Sequence, residues 1–115
     1  MPNPVVHFEV LGKDAQALQG FYSQVFDWPM EKVMDSYAMV RPAGEQGIAG
    51  GVGSTMSPDT PGHTTFYVEV EDLQATLDAI EAAGGSTVQP PMDIPNGPSI
   101  ALFRDPDGNL VGLVK

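Results

Sequence analysis

Phe8 to Ala17 reads FEVLGKDAQA and Phe66 to Ala75 reads FYVEVEDLQA, so an aromatic, a valine and an Asp-x-Gln-Ala helix start recur 58 residues apart. Further along, Tyr37 to Val52 (YAMVRPAGEQGIAGGV) matches Ile100 to Val114 (IALFRDPDGNLVGLV), with Arg41 opposite Arg104 and one extra residue in the first copy. Two matches in the same order predict a duplicated module of about half the chain, since repeats of this length mark paired supersecondary units.

Local patterning gives the module its elements. Val5–Leu11 is a β-branched run that reads as a strand, and Asp14 is placed to cap a helix carrying Leu18, Phe21, Tyr22 and Val25 on one face. Trp28-Pro29 closes that helix, and helical spacing assigns Phe21 and Phe26 to the core. Short strands are expected at Glu31–Met34, Tyr37–Arg41 and Ile48–Gly53. The second copy repeats this order. A strand is expected at Thr64–Val70, then a helix capped by Asp72 and ended by Gly84-Gly85, then strands at Ser86–Gln89, Ser99–Arg104 and Leu110–Val114. The prediction is an α+β fold of two βαβββ modules in a single domain: residues 1–53, a connection at 54–62 rich in turn formers, and residues 63–115. The Pro90–Pro98 segment, PPMDIPNGP, reads as a lip or a connection between strands.

Composition removes whole classes of function. The absence of cysteine excludes disulfides, thiolate zinc sites and a cysteine nucleophile. Fifteen acidic against five basic residues give a net charge of −10, which repels nucleic acid and anionic membrane surfaces. No run approaches the roughly 20 apolar residues needed to cross a bilayer, and the N-terminus has no basic leader, so a soluble cytoplasmic protein is expected. Phosphate loops, Gly-x-Ser-x-Gly elbows and His-Glu-x-x-His helices are missing from the sequence; Gly50-Gly51 with Gly53 is followed by no Lys and opens no helix.

The segments HFEV, FYSQVFDW, FYVEVEDL, AAGG and FRDPDGNLVGL resemble the vicinal oxygen chelate superfamily, which contains the glyoxalases, bleomycin resistance proteins and extradiol dioxygenases. The resemblance covers nearly the whole chain and is closest to small bacterial glyoxalase-like proteins. It implies that the two modules form a cup-shaped, mainly antiparallel sheet with helices outside, and that the protein is a homodimer. In metal-dependent members the first strand of each module supplies a ligand, usually His, and the last strand another, usually Glu. Those positions fall here on His7 and Gly112, and through the repeat on Thr65 and about Gly50. One of four can bind a metal. About three protein ligands are needed to hold a catalytic divalent ion. Glu9, His63 and Glu69 share strand parity with these positions, but same-face residues stand roughly 6.6 to 7 Å apart along a strand, too far to converge easily on an ion. No metal cofactor is therefore expected; His7 is the anchor if Ni, Zn, Fe or Mn is held after all.

The ligand-binding residues expected from parity and chemistry are His7, Glu9, Thr65, Tyr67 and Glu69, with Trp28 and Tyr67 giving stacking surface and the two glutamates attracting positive charge. Met39 and Phe103 on the third strands are further candidates, with directions that depend on register. The expected function is binding of a small organic molecule, of the sequestration or resistance type. Two enzymatic alternatives stand beside it. One is a metal-dependent lyase or dioxygenase built on His7; the other is a metal-free isomerase using His7 or Glu9 as base.

Overall fold

The structure, a computed structural model, describes residues 2–115. Its described residues form eight strands and two helices in the order β1 (Val5–Gly12), α1 (Ala15–Phe26), β2 (Met30–Met34), β3 (Tyr37–Val40), β4 (Ala49–Ser54), β5 (His63–Glu69), α2 (Leu73–Ala82), β6 (Ser86–Asp93), β7 (Ser99–Arg104) and β8 (Leu110–Val114). The βαβββ order thus occurs twice, and the fold class is α+β. The chain divides into two compact units, His7–Thr65 and the residues up to Val6 with Phe66–Lys115, so the boundaries fall within β1 and β5.

In the unit His7–Thr65 the strands are ordered β2, β3, β4, β1, with β2–β3 and β3–β4 antiparallel and β1–β4 parallel. Asp14 caps α1 as expected, its side chain accepting from the Ala17 N–H at 3.0 Å. The helix ends at Asp27, whose backbone enters the left-handed region at φ 57°. The face that α1 buries differs from the expected one. Ala15 and Gln19 are its buried residues, whereas Phe21 and Phe26 are each 55% exposed. Small Ala15 permits close approach to the sheet, and Gln19 Nε2 donates to the Val52 carbonyl at 3.0 Å, so the larger rings are displaced to the flank.

The second unit repeats the order as β6, β7, β8, β5, with β5–β8 parallel and the other two pairings antiparallel. Asp72 caps α2 by accepting from the Ala75 N–H, and Gly84 ends it at φ 104°, a conformation suited to glycine. Leu73 and Leu77 of α2 bury themselves against Val70, Ala101 and Leu113, with Val68, Ile80 and Phe103 packed around them. The first prolines of the expected lip belong to β6, which reaches Asp93. Among the described residues that strand pairs only with β7, and its register shifts between Gln89 and Met92, so Pro90 and Pro91 sit in an irregularity of an edge strand where no ladder N–H is required.

Registers also refine the repeat. Val40 pairs with Gly50 and Phe103 with Val111, so the β3–β4 connection is two residues longer than its counterpart, not one. Among the described residues no helix is long and apolar enough to cross a membrane.

Candidate functional site

Alternation along β1 sorts its side chains onto two faces. Phe8 turns toward the helix side: its ring lies 5.1 Å from that of Trp28, and a Cβ on Gly50 would meet it at 2.1 Å. His7 and Glu9 take the opposite face, together with Gly51, which pairs with Glu9, and Met39, which pairs with Gly51 across β3–β4.

Onto this second face comes Tyr37, a residue that sequence reasoning did not single out. It pairs with Gly53, and its ring lies over Gly51, where a Cβ would stand 1.7 Å from the phenolic oxygen. Two same-face strand positions without side chains, Gly51 and Gly53, make room for it. His7 Nε2 lies 3.0 Å from Tyr37 Oη, and Tyr37 Oη donates to Glu9 Oε2 at 3.0 Å. A phenol has one proton. With the phenol donating that proton to the Glu9 carboxylate, the His7 contact requires Nε2–H as donor, which puts the imidazole lone pair on Nδ1. The three side chains therefore form a directed relay, imidazole to phenol to carboxylate. Partial burial of His7 removes solvation from its charged form and lowers its pKa from 6.5, which keeps it neutral at pH 7.

The signal for Tyr37 was present in the sequence. A glycine inside a strand marks the close approach of another group, and AGGVGS places three glycines in one strand. Register was needed to say which residue approaches.

Other candidates are distributed as follows. Tyr67 is buried on β5 and paired in register with Gly112 of β8; a Cβ on Gly112 would lie 2.4 Å from its ring. Thr65 is buried on β5 of the first unit, while Glu69 is exposed and its backbone carbonyl accepts from Asn3 Nδ2. Trp28 joins an aromatic cluster on the helix side, stacked on Tyr22 at 5.3 Å and near Phe26 at 5.5 Å; the structure does not bring it to His7, Glu9 and Tyr37. Phe103 packs in the α2 core, whereas Met39 shares the face of Tyr37.

Two solvent-open hollows lie away from the relay. One, of about 660 Å³, includes Val10, Leu11, Leu18, Phe21 and His63; the other, of about 850 Å³, includes Pro4, Glu69, Asp72 and Lys115. The first is lined mainly by apolar groups and neither includes His7, Glu9 or Tyr37, so the relay is the stronger candidate on chemical grounds.

The metal implied by the resemblance can be tested against these residues. Register moves the last-strand position of the first module from about Gly50 to Gly51, because Glu9 and Tyr67, matching residues of the two copies, pair with Gly51 and Gly112. Both positions lack a donor atom, and a tyrosine ring occupies the space beside each. Among the described residues no three His, Asp or Glu side chains form a group able to hold an ion. The donor set does not fit a protein-held divalent metal.

Comparison with known proteins agrees with this architecture. A glyoxylase-like domain-containing protein of Didymella fabae is 27% identical over 112 residues, spanning 88% of this chain and 84% of its own length. The glyoxylase-named protein CFP32 of Mycobacterium bovis is 37% identical over 67 residues, 56% of this chain, and the chain spans about a quarter of that relative's length (26%). Among solved structures, a Streptomyces coelicolor methylmalonyl-CoA epimerase in complex with 2-nitronate-propionyl-CoA superposes with a TM-score of 0.70 at 17% identity, covering 99% of this chain and 97% of that one. A superfamily member from Vibrio splendidus gives 0.67 at 14% identity, covering 98% of each chain. Residues 5–113 match the family described as the Glyoxalase/Bleomycin resistance protein/Dioxygenase superfamily. With the match spanning nearly all of its length and the fold repeating the βαβββ module twice, the chain belongs to the glyoxalase/bleomycin resistance protein/dioxygenase superfamily.

Proposed function

We propose that this protein binds a small organic molecule on the sheet face that carries His7, Tyr37 and Glu9, and that it does so without a protein-held catalytic metal. The observation that carries the reading is the Tyr37 hydroxyl, 3.0 Å from both His7 Nε2 and Glu9 Oε2, above a strand left bare by Gly51 and Gly53. A phenol fixed between an imidazole and a carboxylate can exchange either hydrogen bond for one to a guest. Neighbouring Met39 adds adaptable apolar surface. Sequestration of a toxic compound is the version that asks least of these groups, since it requires affinity and no chemistry. The cytoplasm is the proposed setting.

The test is a thermal-shift screen of small polar organic compounds against the native protein and Tyr37→Phe. A compound that stabilises the native chain should lose most of its effect in the variant, because a ligand stabilises in proportion to its occupancy of the folded state. Equal stabilisation of the two proteins by every hit would remove Tyr37 from the site.

A second reading, proton transfer at a carbon acid, is favoured by the relay itself: the phenol donates to Glu9 and accepts from His7, and an imidazole or a carboxylate is a base of suitable type. Deuterium exchange into a bound carbon acid in D₂O, lost in His7→Gln or Glu9→Gln, distinguishes it from simple binding.

A further inference from the structure

The two solvent-open hollows fall at the same place in the two copies of the repeat, one wholly within His7–Thr65 and the other wholly within the second unit. At the offset of 58 residues, Asp14 and Ala17 of the first answer to Asp72 and Ala75 of the second, and each aspartate caps its own helix. Elsewhere the walls diverge in one direction. Leu18 stands where the twin has Thr76, Phe21 where it has Ala79, Leu11 where it has Glu69 and Lys13 where it has Glu71.

The backbone changes to suit. A Cβ on Gly12 would stand 2.5 Å from Leu18 Cδ1, so the larger Leu18 fits because the strand carries no side chain there; at the matched positions the twin has Val70 with the smaller Thr76. Phe21 is 55% exposed yet held, its ring edge to face with Tyr22 at 5.1 Å. The first hollow, of about 660 Å³, thus has a preset apolar wall.

Charge decides the class of guest. Replacing two glutamates by a leucine and a lysine moves the site by three charges, one from the leucine and two from the lysine, on a chain of net charge −10. An anion is repelled by most of such a surface and settles best where those carboxylates are missing and an ammonium stands. The apolar wall beside that ammonium favours an anion with an apolar body, because covering the wall stabilises only a guest that is itself apolar.

We propose that this hollow is a second binding site, separate from the sheet face of His7, Glu9 and Tyr37, and that its ligand is a monocarboxylate with an aromatic or branched-alkyl body. The carboxylate pairs with the Lys13 ammonium, and the body packs on Leu18 and Phe21. The matched hollow of the second copy, with Glu69, Glu71 and Ala79, does not take it.

The test is an NMR titration of isotope-labelled native protein with naphthoate and, separately, with the cationic aminomethylnaphthalene. Naphthoate should give saturable amide shifts at Leu11–Phe21 and His63–Thr64, and should bind more tightly than the ammonium compound despite the net negative charge. Phe21→Ala should weaken naphthoate about tenfold, the order of one lost aromatic contact. Lys13→Glu should weaken it about fivefold and reverse the preference between the two probes, an effect that salt diminishes. Both side chains are exposed, so neither change threatens the fold, and the comparison of probes on native protein needs no variant. Absence of saturable binding, a native preference for the ammonium compound, shifts centred on His7 and Tyr37 or on Glu71–Ala79, or an unchanged naphthoate affinity in Lys13→Glu would each overturn the proposal.

Discussion

Gly51 and Tyr37 are the pair of residues on which the candidate site turns, and their dependence is mutual. Gly51→Ala puts a methyl group into the space of the phenolic oxygen, so the ring must swing away and the contacts to His7 and Glu9 break. Overpacking of this kind costs about 1 to 3 kcal/mol. In a Tyr37→Ala background the obstruction is gone, and Gly51→Ala should cost far less; a double-mutant cycle by urea denaturation should give a coupling above the roughly 0.5 kcal/mol error of additivity. Purely additive losses would mean that ring and glycine do not compete for one space. His7 yields a pH prediction of definite sign. Its folded-state pKa lies below 6.5, so between that value and 6.5 the unfolded chain binds more protons. The contribution is complete above pH 6.5 and falls as pH drops through this window. Chemical denaturation at pH 7.5 and pH 5 should show a smaller loss for His7→Gln than for the native chain. At this scale the sequence revealed chemistry better than contact. The shared face of His7 and Glu9 was legible from parity, and the glycines at the last-strand positions from the family resemblance carried through the repeat, but Tyr37 reaches His7 and Glu9 diagonally from β3, and only the pairing register of three strands reveals that approach.

Elements were legible where local signals dominate. Both aspartate caps act as expected, and Asp14→Ala or Asp72→Ala should each lower stability by about 1 kcal/mol, measured by thermal or urea melts. The turn Asp105–Asn109 is held through the Asp105 carboxylate, which accepts from the Asp107 and Asn109 N–H groups and from Asn109 Nδ2. Those bonds, the Asn109 side chain foremost, lower the Asp105 pKa from its ordinary value. Less legible was the buried side of α1, because periodicity counts apolar residues and cannot see that Gln19 has a backbone carbonyl to satisfy. Gln19→Ala should accordingly cost about 1 to 3 kcal/mol by leaving the Val52 carbonyl without its partner. Gln16→Ala, on the exposed side of the same helix, should be nearly neutral. The prolines of β6 misled for a related reason: proline argues against a central strand, yet an edge strand with a shifted register accommodates two.

For the whole molecule, duplication explains the repeated order of elements. Each unit builds the same parallel contact between its first and last strands, Glu9 with Gly51 and Tyr67 with Gly112, and in each a tyrosine fills the space where a last-strand carboxylate would project. The two tyrosines arrive from different strands, β3 in one unit and β5 in the other, so one outcome has been reached through two local solutions. The two βαβββ modules were readable because repeat, caps and turns agree across the chain, and superfamily membership through the resemblance of segments such as FYSQVFDW and FRDPDGNLVGL. The guest was not, because shared architecture fixes the scaffold and leaves its chemistry to a handful of side chains. The account is tested most directly by native mass spectrometry of protein purified without chelator. The expected spectrum has no stoichiometric transition metal and gains mass only when a small organic compound is bound, an adduct that Tyr37→Phe weakens. A near-stoichiometric Ni, Zn, Fe or Mn adduct that disappears in His7→Ala would contradict it.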